Sequence, residues 1–82
     1  MTITHQDVQR LFDTQLDEPV LILTEGRTLV VSAADVDDRY PGALTIGSKT
    51  GLVDEFGADG PSERERGEVA ARWDTEVSQR GG

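Results

Sequence analysis

The stretch that decides the fold is Val20-Leu21-Ile22-Leu23-Thr24, Glu25-Gly26-Arg27, Thr28-Leu29-Val30-Val31-Ser32. Two runs rich in β-branched residues and leucine flank a short polar segment, and Gly26 supplies the positive φ that a tight hairpin needs. Neither run alternates strictly between apolar and polar residues. Continuous apolar strands are buried on both faces, so helices or a second copy of the chain are expected to cover the two sides.

Upstream of the hairpin, Thr4 and Asp7 match a T-x-x-D capping box. Val8, Leu11, Phe12 and Leu16 follow at i, i+3, i+4 and i+8, which predicts an amphipathic helix of about eleven residues. Asp17-Glu18-Pro19 ends it, because the residue before proline is pushed out of the helical region.

Downstream, Ser32-Ala33-Ala34-Asp35 can cap one helical turn, and Asp37-Asp38-Arg39-Tyr40-Pro41-Gly42 reads as a turn. Ala43-Leu44-Thr45-Ile46 is expected to be a third strand, with Gly47-Ser48-Lys49-Thr50-Gly51 as a loop. Leu52-Val53 and Phe56 fit a short strand or a helical turn equally well. Gly57 to Pro61 is a connector. The last element is a helix from Ser62 to Gln79, opened by the S-x-x-E capping box of Ser62 and Glu65. Val69, Trp73 and Val77 recur every fourth residue and form its apolar stripe, widened by Ala70. Glu68–Arg72 and Glu76–Arg80 are acid-before-base pairs at i,i+4, and the glycines at 81 and 82 terminate the helix.

The expected architecture is α+β: a small antiparallel sheet, made of the hairpin and a third strand, packed with an N-terminal and a C-terminal helix. At 82 residues the chain has material for one core. It is read as a single domain over residues 1–80, with 81–82 as a frayed C-terminal end.

Composition narrows function by exclusion. Sixteen acidic residues stand against eight basic ones, a net charge of −8. Nucleic-acid and anionic-membrane affinity both need cations, so neither partner is expected. The acid is spread evenly, with eight acidic residues in 1–41 and eight in 42–82, so it is no separable tail. Seven arginines and the single Lys49 resemble the composition of proteins from high-salt cytoplasm; a GC-rich genome gives the same bias. No cysteine is present, which removes thiol catalysis, thiolate zinc sites and disulfides together. The N-terminus lacks a basic start and an apolar stretch, and the longest apolar run is far too short for a bilayer. A cytoplasmic location is expected.

The segments that might carry chemistry each have a simpler reading. Gly42-Ala43-Leu44-Thr45-Ile46-Gly47-Ser48-Lys49-Thr50 nearly matches the phosphate-binding G-x-x-x-x-G-K-[ST] loop, but Ser48 displaces the lysine by one position. A turn is the better assignment. Asp35, Asp37 and Asp38, with Asp54, Glu55 and Asp59, offer hard oxygens. Arg39 and Tyr40, however, stand where a calcium loop needs a ligand and a glycine. His5, the one histidine, sits in the first turn of a helix, where its protonation opposes the dipole. No catalytic, cofactor or metal residues are assigned.

Trp73 is first of all a core anchor. With Val69, Val77 and Tyr40 it also forms the candidate interface, since Trp and Tyr are enriched where proteins meet. The terminal Gly81-Gly82 resembles the diglycine end of ubiquitin-like modifiers. Those begin with a β-hairpin, and this chain begins with a helix. The expectation is therefore a non-enzymatic interaction module, homodimeric, with an unidentified protein partner. The alternatives are an acidic mimic that occupies a basic nucleic-acid-binding surface and, behind it, a diglycine modifier.

Overall fold

At the centre of the hairpin, Glu25 and Gly26 have φ of +51° and +79°. Two successive positive φ angles make a type I′ turn, whose twist suits the strands it joins. In the computed structural model, which describes residues 3–81 and the side chains through Gln79, strands β1 (Pro19–Thr24) and β2 (Arg27–Ser32) leave this turn. They pair antiparallel from Thr24↔Arg27 to Pro19↔Ser32. The predicted hairpin is present, one residue longer at each strand's start.

A third strand, β3 (Leu44–Ser48), lies antiparallel along the other side of β1, giving the order β2-β1-β3. It is displaced from the expected Ala43–Ile46. Leu21 faces Gly47 while Ile22 faces Thr45, so Ile46 is an extra residue in the ladder. Such a bulge bends a strand and shifts its in–out phase. For that reason Gly47 and Ser48 belong to the strand and not to a loop.

Four helices complete the chain: α1 (His5–Asp13), α2 (Ala33–Arg39), α3 (Lys49–Phe56) and α4 (Glu63–Gly81). The α+β class and the packing of the N- and C-terminal helices on an antiparallel sheet are as expected. Three local expectations are corrected. α1 stops at Asp13, so Leu16 lies beyond it and is exposed (45%). α2 continues past one turn through Arg39, leaving only Pro41 and Gly42 as the turn. Lys49 to Gly51 open α3 instead of forming a loop, with the Ser48 hydroxyl accepting the Gly51 N–H at 3.0 Å. Leu52, Val53 and Phe56 are therefore helical. The Glu76–Arg80 pair lies outside the described side chains, as Gly82 lies outside the described residues.

The core fills the space between the sheet and α1, α3 and α4. Ile3, Val8, Leu11, Leu21, Leu52, Val69, Ala70, Trp73 and Val77 form one buried cluster. Trp73 lies against the backbone of Gly47: a Cβ there would stand 2.9 Å from Cε2 and nearer still to two other ring carbons. Phe12 covers Gly60 in the same way, which positions the connector before α4. Burying these side chains is worth about 1.5–3 kcal/mol each relative to exposure.

Polar contacts fix how the helices enter. The carboxylate of Asp7, itself buried, accepts from the Thr4 amide (3.0 Å), from the Thr28 hydroxyl of β2 (3.2 Å) and from Arg10. The capping box predicted for Thr4 and Asp7 is thus also the tie between α1 and the sheet. At the other end, Ser62 N–H donates to Glu65 Oε1 (2.9 Å) and Glu65 N–H to the Ser62 hydroxyl (3.3 Å), the second predicted capping box. The Ile3 amide donates to Asp74 Oδ1 at 3.0 Å, joining the start of the described chain to α4. Arg72 reaches across to α3 and grips both oxygens of Glu55, at 3.0 and 3.2 Å. It does not pair with Glu68, which lies instead 3.5 Å from Arg64. The guanidinium holds the Glu55 carboxyl below its ordinary pKa, and the carboxylate in turn raises that of Arg72.

Candidate functional site

The other face of the sheet is built differently. By the alternation of side chains along a strand, Val20 and Ile22 point away from the helical core, and both are buried. β2 and β3 run parallel on opposite flanks of β1, so the chain between them has to pass over one face. The longer helices occupy the first face, and the connection through α2 takes the second. The Ala33 amide donates to the Glu18 carbonyl at 2.9 Å, which pins the start of this crossover beside β1. Tyr40, half-buried at the end of α2, then comes to rest near Leu29 of β2. Both faces of the apolar hairpin are thus covered within one chain.

The edge of β2 is not covered by another strand. In a two-residue hairpin the pair flanking the turn, here Thr24 and Arg27, is hydrogen-bonded, and pairs alternate from there. Arg27, Leu29 and Val31 therefore direct their backbone groups to β1, and the Ala33–Glu18 bond continues that alternation. Thr28 and Val30 direct theirs outward, as does the Ser32 N–H, while the Ser32 carbonyl accepts the first bond of α2. This edge has no bulge against β1 and no proline, and Arg27 is its one charge. Proteins usually blunt an exposed edge with such devices. The opposite edge, β3, carries the bulge at Ile46.

Beside the hairpin end of β2 lies a cleft of about 320 Å³, with Leu29, Tyr40, Arg27, Arg39 and Glu25 in its lining. The two arginines stand apart from the other basic residues whose side chains are described. Arg10 pairs with Asp7, Arg64 with Glu68 and Arg72 with Glu55; Arg66 donates to the Pro61 carbonyl, and Lys49 stands 5.2 Å from the centre of the Phe12 ring. Among the described residues, Arg27 and Arg39 make no ion pair, although acidic residues outnumber basic ones two to one. At the other end of β2, Asp35, Asp37 and Asp38 on α2 likewise make none among the described residues.

The residues singled out from sequence are placed as follows. Trp73, Val69 and Val77 are buried in the chain's own core, at 7%, 2% and 9% exposure, and present little surface to another molecule. Tyr40 is on the opposite face, so the four do not form one patch. His5 is exposed and shares an open depression of about 600 Å³ with Ser62 and Glu63. The Ser62 hydroxyl is engaged there as the acceptor of the Glu65 N–H. Asp54, Glu55 and Asp59 do not join the aspartates of α2, and no three His, Cys, Asp or Glu side chains among the described residues converge as metal ligands. None of the described helices is long and apolar enough to cross a membrane. Sequence reasoning missed Arg27 and Arg39, since nothing in their spacing marks them as lacking a partner among the described residues. No family model, curated protein or solved structure matches the chain.

Proposed function

We propose that the chain is a non-enzymatic protein–protein interaction module of the cytoplasm that works as a homodimer. The observation that carries this reading is the open β2 edge, a strand of six residues with one charge, no bulge and an outward row of backbone groups at Thr28, Val30 and Ser32. Unpaired edges recruit strands, and strand addition is a recurrent mode of protein recognition. The broad apolar faces are spent within the fold, which leaves the edge as the surface best suited to a partner. Sedimentation equilibrium at low and at molar salt tests the homodimer. A mass of two chains is expected, and a strict monomer in both solvents would overturn it.

A further inference from the structure

Among the described residues, the cations at one end of β2 and the carboxylates at the other make no ion pair. Arg27 begins the strand, and Arg39 lines the cleft beside that start. Asp35, Asp37 and Asp38 follow its end, in the helix that Ser32 caps. An arrangement of this kind is complementary to itself when turned end for end. Two-fold interfaces require that property: if one residue meets a second across the axis, the second meets the first.

From this we infer that a second copy of the chain docks along β2, antiparallel, with the two-fold axis at Val30. The inference rests on the homodimer reading above and adds to it the surface, the register and the charges that select it. Only residues whose backbone groups point outward can make the new ladder, and these are Thr28, Val30 and Ser32. Centring the axis on Val30 sets Val30 against the partner's Val30 and Thr28 against the partner's Ser32, so that both Val30 groups, the Thr28 carbonyl and the Ser32 N–H find partners, while the Ser32 carbonyl is shared with the first turn of α2. Two three-stranded sheets become one of six strands.

The same register carries Arg27 beside the partner's Ala33. The first turn of the partner's α2 then approaches the Arg27–Arg39 cleft, and its Asp35 is the carboxylate nearest in sequence to that point. Both ends of the interface gain this contact at once. Centring the axis elsewhere along the strand loses outward pairs at one end, and moving it toward Arg27 also separates the arginines from the aspartates. The pairing also explains why Arg27 and Arg39, in an acidic chain, make no ion pair among the described residues. Glu25, which lines the same cleft, opposes the incoming aspartates and sets a limit on affinity.

The test is sedimentation equilibrium at one fixed ionic strength on the full chain and four variants. Val30→Pro removes an N–H that the fold itself does not use, and is expected to yield a monomer with an unchanged far-UV spectrum. Arg27→Glu places like charges together and is expected to weaken the dimer about tenfold or more. Arg27→Glu with Asp35→Arg reverses both partners and is expected to restore it. Glu25→Gln is expected to tighten it. A dimer that survives both Val30→Pro and Arg27→Glu would overturn the β2 surface while leaving a homodimer through another one. A monomeric parent chain overturns both readings. If Val30→Pro unfolds, the charge reversal decides: failure of Asp35→Arg to rescue Arg27→Glu overturns the register.

Discussion

The indole of Trp73 lies directly on the backbone of Gly47, so the largest side chain of α4 is seated where β3 has no side chain. The contact joins the C-terminal helix to the bulged strand. Any Cβ at position 47 would enter the ring, and neither a strand backbone nor a buried indole can yield cheaply. Gly47→Ala is expected to destabilise the protein by about 1–3 kcal/mol, the usual cost of overpacking a core. Urea unfolding followed by Trp73 fluorescence measures it. An unchanged midpoint would show that α4 can shift without loss.

Asp7 is the second point of leverage. Its carboxylate serves an N-terminal amide, a strand hydroxyl and an arginine together, and it is almost wholly shielded from water. Asp7→Ala leaves the Thr4 amide and the Thr28 hydroxyl without that acceptor. A loss of roughly 2–3 kcal/mol is expected, in the range for hydrogen bonds to a charged group. Thr28→Val removes one of the three donors and is expected to cost about 1 kcal/mol. Equal losses in the two variants would contradict the assignment of Asp7 as the shared acceptor.

The hairpin turn is not at its optimum. Glu25 holds φ at +51°, a conformation that asparagine and glycine adopt more readily. Glu25→Asn is expected to raise stability by about 1 kcal/mol, and Gly26→Ala to lower it by about the same amount. Added space is not the issue at Gly26, since a Cβ there meets nothing within 4 Å. A thermal-melt series reads both signs in one experiment.

The Glu55–Arg72 pair sets a pH dependence of known sign. The folded-state pKa of Glu55 is lowered by the Arg72 hydrogen bonds. Its contribution to stability is therefore present above the unfolded carboxyl pKa and is lost as pH falls through the folded one. Both groups are substantially exposed, so the effect is small and screened by salt. Titration by NMR is expected to place Glu55 below the ordinary glutamate range, and Arg72→Gln to return it toward the ordinary value. An unshifted Glu55 in the parent chain would remove the interaction.

What could be read from sequence was whatever local chemistry decides. Gly26 between two apolar runs marked the hairpin, and Ser62 with Glu65 marked the start of α4, because turn and cap geometry depend on neighbours in the chain. The errors lie where distant residues rule. Ile46 bulges because β1 imposes a register on β3, and no spacing within Leu44–Ser48 announces it. The segment Lys49–Phe56 has little helical periodicity, yet Leu52 is drawn into the core and Ser48 caps the turn. Leu16 kept the phase of α1 in sequence, but the helix had already ended at Asp13. The cleft was illegible for a related reason. Arg27 and Arg39 are ordinary exposed residues until the crossover brings Tyr40 to Leu29 and leaves both beside it, without an ion pair among the described residues.

The crossover through α2 also gives the fold an order of assembly. The β1–β2 hairpin closes over two residues and can form within about 1–10 μs, well before any contact of long sequence separation. β3 cannot take its place until the chain has travelled across the sheet, and Gly47 cannot receive Trp73 until α4 has been reached. Between those events the central strand is itself an edge, with the apolar side chains of β1 open on both faces. The dispersed carboxylates then matter most, because mutual repulsion keeps half-folded chains apart while the last strand arrives. The acidity is in this sense a kinetic safeguard, acting on the species that precedes the native one.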